Sequence, residues 1–510
     1  MYNQTALEQN GLRGKVPMRS TRRYNYVTIN FLWLGINVAS GSITPLILPY
    51  MVALFVQPEL KNTYLAQARV AGLAVAMLVQ PLAGLLSDRN TSRWGRRRPF
   101  IAAGVALDMP FLLMMALASD YSSLLLAGVL LQFASNVAHG ALQGLIPDLV
   151  PEQERGRVSG VKSIMELLPG IALIPVAKLV DRGHVAAALG IVAASLLVTA
   201  GITLLTVGEE PLREKPADSL GLAAGRIVLL TVIFMTVTQG SQQVVSLVGS
   251  LLEGQGRAQL MAVGLAGLAA MAGSVVLGVY FSAWVGIGRG ARQHTSFIWW
   301  VISRLLFLAA IGSIQSFVMY YMRDVLQIEN AATVTIMVVA VITVFLLISA
   351  LISGYMADGA VSAASGRGLK RRLTSFLARL AMTFRLHTLG RRGFLIVAGV
   401  VAGAGTGILL ISPNIPTLVV GGCIIGVGVG MFWSISWALG TELAPPKEAG
   451  KYLGISNLAG AGAGIVGAGI GGPMADFFNL ARPGLGYSVI FAIYGVLFLL
   501  SSVVMRGVKE

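Results

Sequence analysis

Long apolar runs separated by short polar loops constrain this chain more than any other feature of its sequence. A helix that crosses a membrane needs roughly 20 consecutive apolar residues. Fourteen runs of this kind can be counted, at 27–55, 66–87, 99–118, 122–146, 158–180, 185–207, 227–252, 258–284, 297–321, 332–356, 394–412, 416–440, 452–475 and 485–505. With 55% hydrophobic residues, 12% charged residues and a mean hydropathy of +0.76, the composition excludes a soluble globular protein and predicts a polytopic membrane protein.

The distribution of lysine and arginine predicts the orientation of these helices. If the N-terminus is cytoplasmic, inner loops and inner helix ends hold 30 of the 38 basic residues, 7 (Arg69 among them) lie at the outer side, and Arg304 lies inside a span. This asymmetry follows the positive-inside rule. We therefore predict a multi-pass protein of the plasma membrane whose two termini are both cytoplasmic.

The net charge of +16 has the same explanation. The basic residues are confined to short loops, where the anionic inner leaflet attracts them, so a lipid bilayer is a predicted partner and nucleic acid is not. The four histidines are too scattered along the chain for a metal cluster, and no glycine-rich loop of the Walker type is present to hold ATP phosphates. The sequence predicts no enzyme activity, no cofactor and no metal.

The two halves of the chain repeat each other. The segment 147–160 matches the segment 441–454, and five positions keep one offset of 294 without a gap. A repeated bundle is the building unit of alternating-access transporters. Asp148 corresponds to Glu442 at this offset, and in a second repeated pattern, at the end of the second helix of each half, Gly84 is echoed by Gly354 and Asp88 by Asp358.

This repeat divides the chain into two six-helix bundles with a helix pair inserted between them. The polar loop 359–393 has leucines and phenylalanines at helical spacing among many arginines, which predicts a basic amphipathic helix on the inner membrane surface. The predicted segments are a cytoplasmic tail (1–26), the first bundle (27–207), a cytoplasmic linker (208–226), the inserted pair (227–286) and the second bundle (297–505).

The loop GLLSDRNTSRWGRRRPF, at 84–100, joins the second and third apolar runs. Its charged residues are Asp88, Arg89, Arg93, Arg96, Arg97 and Arg98. Here the chain resembles the major facilitator superfamily, and SDRNTSRWGRRRPF in particular resembles the branch of sucrose transporters and of glycoside, pentoside and hexuronide symporters. The resemblance covers both halves but not the inserted pair. It implies an all-α membrane protein with the major facilitator fold, here with fourteen transmembrane helices.

Asp88 ends the second predicted helix and is the central residue of this loop. A carboxylate there can hold an arginine and face the positive N-terminus of a helix from the other half. We predict that Asp88 and Asp148 latch the inner gate when the outside is open. In the alternative interpretation, the arginines only anchor the topology and contact lipid headgroups.

The fourth predicted helix carries the richest set of polar side chains. Gln132, Asn136, His139 and Gln143 follow each other at i, i+4, i+7 and i+11, which places them on one helical face. We predict that this face lines a cavity, although interhelical hydrogen bonds are the alternative use of such residues. In the sucrose-transporter branch this helix carries a proton-binding acid and an arginine. Gln132 and Gln143 stand at those positions, so proton coupling by that route is not expected.

Ionisable residues inside other spans are the remaining candidates for coupling and binding, because each costs about 2.5 to 3.5 kcal/mol near the bilayer centre. Asp108 is predicted to be a protonatable acid, and Arg304 is predicted to anchor a polar or anionic group of the solute. Lys162 and Glu166 are spaced as an i,i+4 pair, which predicts a structural ion pair near the inner surface. Glu166 is also the second coupling candidate. Further candidates for substrate binding, as amides or stacking rings, are Asn37, Gln315, Trp433, Trp437 and Asn457.

Three functions remain open at this point. The first, and the leading hypothesis, is a monomeric secondary transporter that moves a small polar solute, namely a sugar or glycoside, with a proton or sodium gradient. The second is a drug or metabolite exporter, which the fourteen helices and the uncharged fourth helix favour. The third is a non-transporting assembly factor or receptor that uses the inserted pair for docking.

Overall fold

The computed structural model describes residues 25–212, 220–288, 293–357, 390–411, 414–445 and 449–509, and this part of the chain is helical without strands. The predicted tail as far as residue 24, the predicted amphipathic helix as far as residue 389, and Asp358 lie outside the described residues. The helices are numbered below in chain order.

Helices of the first half begin after the tail. A π-helical turn, Ile43–Ile47, joins the first two of them into one continuous span. The helices are α1 (Phe31–Ser42), α2 (Leu48–Phe55), α3 (Lys61–Ser87), α4 (Arg98–Ala116), α5 (Tyr121–Leu142), α6 (Leu145–Leu149), α7 (Glu152–Leu167), α8 (Pro169–Asp181) and α9 (Val185–Thr206).

The inserted pair and the second half follow. The helices are α10 (Leu220–Leu251), α11 (Arg257–Gly286), α12 (Thr295–Asp324), α13 (Ala331–Ala357), α14 (Arg391–Leu409), α15 (Ile415–Leu443), α16 (Ala449–Ala481) and α17 (Leu485–Met505). Helix α10 begins at Leu220, so the last seven residues of the predicted linker, 220–226, are helical.

Twelve helices of the described residues are long and apolar enough to cross a membrane. The two other predicted spans coincide with helices α7 and α8 and with helix α16. Helix α7 carries Arg155, Arg157, Lys162 and Glu166, and so many charges lower the hydropathy of that segment. The multi-pass helical architecture is therefore present, but the count of fourteen membrane helices is not confirmed.

The two halves meet along two helix pairs. Helix α3 packs against α16, and α8 packs against α13. At the first contact, a Cβ atom on Gly472 would lie only 2.4 Å from the Cβ atom of Ala66 and 2.5 Å from the carbonyl oxygen of Asn62. The absence of a side chain at Gly472 therefore lets the two helix backbones approach closely.

The inserted helices α10 and α11 pack against each other and against α16, and α10 also contacts α3. They therefore cover one side of the seam between the halves. The predicted boundaries of the bundles and of the inserted pair stay predictions.

Candidate functional site

Arg97 forms the centre of an ion-pair cluster at the end of the first half that the sequence predicts to be cytoplasmic; we call it the inner clamp. Only 6% of Arg97 is exposed. Its Nε donates to Oδ2 of Asp148 over 2.9 Å, its Nη1 donates to Oγ of Ser87 over 2.6 Å, and its Nη2 pairs with Asp88. Arg96 pairs with the other oxygen of Asp148. A buried guanidinium needs such a full set of acceptors to offset its lost hydration.

Glu209, in the linker after α9, is a further acid of the inner clamp and binds the backbone at the start of α4. Its carboxylate accepts hydrogen bonds of 2.9 Å from the backbone N–H groups of both Arg97 and Arg98, at the start of α4. Burial raises the pKa of Glu209, and the two backbone donors oppose that rise. Gly95 has a φ of +96°, and a Cβ atom there would lie 2.3 Å from the Cβ of Glu209. We did not predict Glu209 as a clamp residue, although an acid directly after a span is a visible signal.

The second half contains an equivalent ion pair. Glu442 pairs with Arg391 at the start of α14. Arg391 lies 294 positions after Arg97, which is the offset that relates Glu442 to Asp148. Both the residues and their pairing are therefore repeated between the two halves.

Among the remaining residues of the predicted gate, Gly84 and Arg89 take part in hydrogen bonds to backbone carbonyl groups. The carbonyl oxygen of Gly84 accepts from Nη1 of Arg97 over 3.3 Å, and Arg89 donates to the carbonyl of Leu85 over 3.4 Å. Arg93 is exposed. The bonds of Asp88 and Asp148 named here join residues of the same half, so a latch between the halves stays a prediction for a conformation that is closed on the inner side.

Polar contacts between the halves occur at the opposite end, which the sequence predicts to be external; we call this set the outer gate. At the end of α8, the two carboxylate oxygens of Asp181 accept hydrogen bonds of 2.9 Å from the backbone N–H groups of Ala332 and Thr333. Ala332 and Thr333 are the second and third residues of α13 in the other half. A carboxylate at this position caps the helix and meets the positive end of its dipole.

Two further contacts belong to the outer gate. Asp476 of α16 accepts from Nδ2 of Asn62 over 2.8 Å and from the backbone N–H of Thr63 over 2.7 Å, both in α3. Nζ of Lys61 lies 2.6 Å from the carboxylate of Asp324 at the end of α12. The two halves are thus joined by polar contacts at their outer ends in this conformation.

The polar face of α5 contains two pairs of side chains in contact. Nδ2 of Asn136 donates to Oε1 of Gln132 over 3.1 Å, and Nε2 of Gln143 lies 3.3 Å from Nε2 of His139. The His139 ring meets the Trp33 ring of α1 edge to face, with 5.1 Å between ring centroids. The four predicted residues of this face therefore lie against α1 or bond to each other.

Helix α7 contributes a charged pair to the same region. Nζ of Lys162 lies 3.8 Å from the centroid of the Trp33 ring and 3.3 Å from a carboxylate oxygen of Glu166. Asn37 bonds to the carbonyl of Trp33 over 2.8 Å within its own helix. The structure thus brings Asn37, His139, Lys162 and Glu166 together around Trp33.

Asp108 is not among the residues that contact Trp33; it lies between α4 and α5. It is 1% exposed, and its carboxylate accepts a 2.7 Å hydrogen bond from the hydroxyl of Ser135, between α4 and α5. Ser135 lies three residues after Gln132 and four before His139, so it borders the same side of α5. The contacts described for Asp108 and for Glu166 do not join these two coupling candidates.

Arg304 of α12 is the charged residue of the corresponding region in the second half. Its Nη1 donates to Oγ of Ser436 over 3.1 Å, and its guanidinium lies 5.1 Å from the ring centroid of Trp437 on α15. Trp433, one turn earlier, is 60% exposed, and Trp437 is 37% exposed. Arg304 is thus a close neighbour of Trp437, and Trp433 lies one turn before Trp437 on the same helix.

Gln315 lines a cavity of about 120 Å³ between α12, α13 and α15, together with Thr335 and Val429. Asn457 lies in helix α16, but its side chain is outside the described residues. The predicted binding residues therefore occur in both halves, Gln315 lines a cavity that does not include Arg304, and Asn457 cannot be assigned to a site.

Arg69 corrects one sequence assignment. We counted it with the outer helix end, but it lies eight residues inside α3, and its Nη1 atom is buried without a hydrogen-bond partner. The predicted span began at residue 66, whereas α3 begins at Lys61 and carries Arg69 further into the helix. A long membrane helix can therefore place a charge in the interior that an apolar count assigns to its end.

The chain has two repeated halves built of helices, polar contacts between the halves at one end, and polar side chains within the helices. This combination is typical of a multi-pass membrane carrier. The sequence pattern of the Major Facilitator Superfamily matches residues 31–384 and 372–509. The chain belongs to this superfamily and is a membrane transporter, not an enzyme. This confirms the family and the fold that the loop at 84–100 predicted.

The chain is similar to sugar carriers over part of its length. It is 28% identical over 238 residues to the general alpha-glucoside permease of Schizosaccharomyces pombe, a match that covers 42% of this chain and 41% of the permease. It is 44% identical over 62 residues to the sucrose transport protein SUT1 of Oryza sativa subsp. japonica, over 12% of this chain and 11% of that protein. The matched part is thus less than half of either relative.

Solved structures share the fold at low sequence identity. The peptide transporter POT in complex with sulfate aligns with a TM-score of 0.62 and 13% identity, over 94% of this chain and 93% of that chain. The human organic anion transporter MFSD10 aligns with a TM-score of 0.55 and 14% identity, over 95% of this chain and 99% of that chain. At such identities the likeness concerns the fold alone.

Proposed function

We propose that this transporter moves a sugar or glycoside by alternating access, coupled to a proton or sodium gradient. The observation that carries the proposal is the group of Trp33, His139, Lys162 and Glu166 on three helices of the first half. Intramembrane ionisable groups that contact each other are typical of substrate and ion pathways.

Sugar binding fits the polar and aromatic groups of the two halves. Aromatic rings stack on the apolar face of a sugar, while amides bond its hydroxyl groups. The exposed rings of Trp433 and Trp437 lie in the second half, and the amides of Gln132 and Asn136 lie in the first. The sugar carriers of fission yeast and rice that resemble this chain support the same class of solute.

Glu166 is the coupling residue that we favour over Asp108. Its carboxylate is paired with Lys162 at 3.3 Å, and its side chain is 35% exposed, so a cation can reach it. Binding of a proton at Glu166 would release Lys162 from the pair and change the charge beside Trp33. Asp108, which is 1% exposed and bonded to Ser135, has no comparable access.

Alternating access is supported by the polar contacts described between the halves, which lie at the outer gate. The outer gate joins the halves at Asp181 and Asp476, while the ion pairs of the inner clamp lie within the first half. A carrier closed on the outside and able to open on the inside has this arrangement. Opening the outside requires the bonds of the outer gate to break and new contacts to form at the inner end.

Uptake by reconstituted vesicles tests the proposal. We expect a panel of labelled sugars and glycosides to include one that accumulates under an imposed proton or sodium gradient. The variant Glu166→Gln should retain exchange of that solute but lose accumulation, because the coupling charge is gone. The control Glu253→Gln alters an exposed acid at the end of the inserted pair and should behave like the wild type.

Three results would contradict parts of the proposal. Absence of flux for the whole panel would exclude a sugar carrier and favour the exporter or the non-transporting protein. Accumulation that survives Glu166→Gln would remove Glu166 from the coupling path. Accumulation that does not depend on either gradient would exclude coupling to these ions.

A further inference from the structure

A cavity of about 190 Å³ lies at the seam between the halves, bounded by α3 of the first half, α10 of the inserted pair and α16 of the second half; we call it the seam cavity. A Cβ atom on Gly469 of α16 would lie 3.2 Å from methyl carbons of both Thr238 and Val70, so the three helices converge at its wall. Its lining residues in the described chain include none of the residues that we predict to bind the solute. The seam cavity is therefore a site separate from the proposed solute path.

Uncharged polar side chains make up the hydrogen-bonding part of the seam cavity. They are Thr63, Gln67, Thr238, Gln239 and Gln242, and the other lining residues are apolar or glycine. Amide and hydroxyl side chains both donate and accept hydrogen bonds. Because the described lining carries no charge, it has no group that would select a phosphate or a carboxylate. This chemistry favours an uncharged ligand with several hydroxyl groups.

Thr238 lacks a hydrogen-bond partner within the described part of the chain. The residue is only 2% exposed, and its Oγ1 atom is buried and unbonded. It lies thirteen residues before the end of α10 at Leu251, about 20 Å along the helix. An unsatisfied hydroxyl group inside a membrane span is costly because little water reaches it. A hydroxyl group of a ligand in the seam cavity would supply the missing partner.

The stripe of α10 at the seam cavity is polar towards its outer end and apolar towards the middle of the membrane. Gln239 and Met235 line the cavity, and Val232 and Val228 continue the same helical face towards the end that the sequence predicts to be cytoplasmic. Both valines are exposed. A lipid of the outer leaflet has the same order, with its headgroup outside and its acyl chains towards the midplane. The stripe therefore fits a lipid better than a water-soluble ligand.

The seam cavity adjoins the outer gate. Thr63 lines the cavity, and its backbone N–H donates to Asp476 over 2.7 Å. Pro473, another lining residue, precedes Asp476 by three positions on α16. A ligand that contacts α3 and α16 together would bind best when these helices are close to each other. Such a ligand favours the conformation that is closed on the outside.

We propose that the seam cavity binds the uncharged, hydroxyl-bearing headgroup of an outer-leaflet lipid, such as a glycolipid, and that the bound lipid stabilises the closed outer gate. The inserted pair supplies Thr238, Gln239 and Gln242, so the site depends on the helices that separate the two bundles. A free polyol offers the same hydroxyl groups, but it has no chains for the apolar part of the stripe. The inference goes beyond the proposed transport and does not depend on which solute is moved.

Native mass spectrometry of the purified full-length transporter, loaded with dioleoylglycerol that carries one glucose headgroup, tests the site. Gln242→Leu and Thr238→Val remove hydrogen-bonding groups with little change in volume, and each should weaken glycolipid binding by about 5-fold, the value of one net hydrogen bond. The control Gln243→Leu changes the next amide of α10, which is exposed and does not line the cavity, and should bind like the wild type. Dioleoylphosphatidylcholine, with the same chains but a charged headgroup, should bind equally to all four proteins.

Spin-label distances between the outer ends of the halves measure the effect on the gate. In phosphatidylcholine nanodiscs, added glycolipid should increase the fraction of short distances in the wild type and in Gln243→Leu, but not in Gln242→Leu. Equal glycolipid binding by Gln242→Leu, Thr238→Val and Gln243→Leu would show that the lipid is not held in the seam cavity. Displacement of the glycolipid by free methyl glucoside would assign the cavity to a soluble polyol and overturn the lipid site. Distances that glycolipid leaves unchanged would overturn its effect on the outer gate.

Discussion

Asp181→Ala should shift the transporter away from the conformation that is closed on the outside. The Asp181 carboxylate in the first half accepts two 2.9 Å hydrogen bonds from the amides of Ala332 and Thr333, in the first turn of α13 in the second half. Because these bonds connect the halves, they stabilise only a conformation in which the outer ends meet. The substitution removes both bonds and the charge that faces the helix dipole.

The size of the effect follows from the energy of a helix cap. Loss of an acidic N-cap costs about 1 to 2 kcal/mol, including its interaction with the helix dipole. An energy of this size changes an equilibrium by about 5- to 30-fold. We therefore expect the ratio of outside-closed to outside-open molecules to fall by about that factor.

Spin-label distances at the outer ends of the two halves measure this ratio. The chain has one cysteine, Cys423, so labels can be attached at His184→Cys and Glu329→Cys in a Cys423→Ser background. Both positions are exposed, close to the ends of α8 and α13. Asp181→Ala should increase the fraction of long distances between the labels.

Asp120→Ala provides a matched control. Asp120 also caps a helix, accepting a 2.9 Å hydrogen bond from the backbone N–H of Ser123, but its cap lies within the first half. Its loss should leave the distance distribution unchanged. A distribution for Asp181→Ala that equals that of Asp120→Ala and of the wild type would refute the assignment of Asp181 to the outer gate.

Three further substitutions test the inner clamp and the equivalent ion pair of the second half. Asp88→Asn should reduce vesicle transport at least several-fold with normal membrane insertion, whereas Arg93→Gln in the same loop should not; full transport by Asp88→Asn would argue against a latch. Gly95→Ala should lower the thermal unfolding temperature, because a φ of +96° costs about 1 kcal/mol or more for alanine, while Gly190→Ala, which has free space around its Cβ position, should not lower it. Glu442→Gln should destabilise the second half by about 1 kcal/mol or less, since its carboxylate is largely exposed; a loss as large as that of Gly95→Ala would contradict this ranking.

The membrane fold could be predicted from the sequence because the bilayer makes strong demands on composition. Each apolar run must be helical so that its backbone N–H and C=O groups are hydrogen-bonded within the bilayer. Each cluster of arginines must stay outside the hydrocarbon. The ends of helices that continue into polar residues could not be predicted from the apolar runs. Helix α3 begins at Lys61 and α10 at Leu220, both before the predicted apolar spans, because these ends continue beyond the apolar residues.

Local partners in the candidate site were predictable, and distant partners were not. The i,i+4 spacing brings Gln132 to Asn136 and Lys162 to Glu166, and hydrogen bonds or ion pairs form at those spacings. Whether these residues line the solute path stays a prediction. Contacts such as Asp181 with α13 join positions about 150 residues apart, and one sequence without an alignment contains no signal for such a pairing.

The inner clamp also bears on how this protein is made. Its acids are Asp88, Asp148 and Glu209, and they surround Arg97. All four precede the inserted pair and the second half in the sequence, and proteins fold from the N-terminal domain as synthesis proceeds. The first half therefore contains everything it needs to close its own clamp while the ribosome is still producing the remainder of the chain.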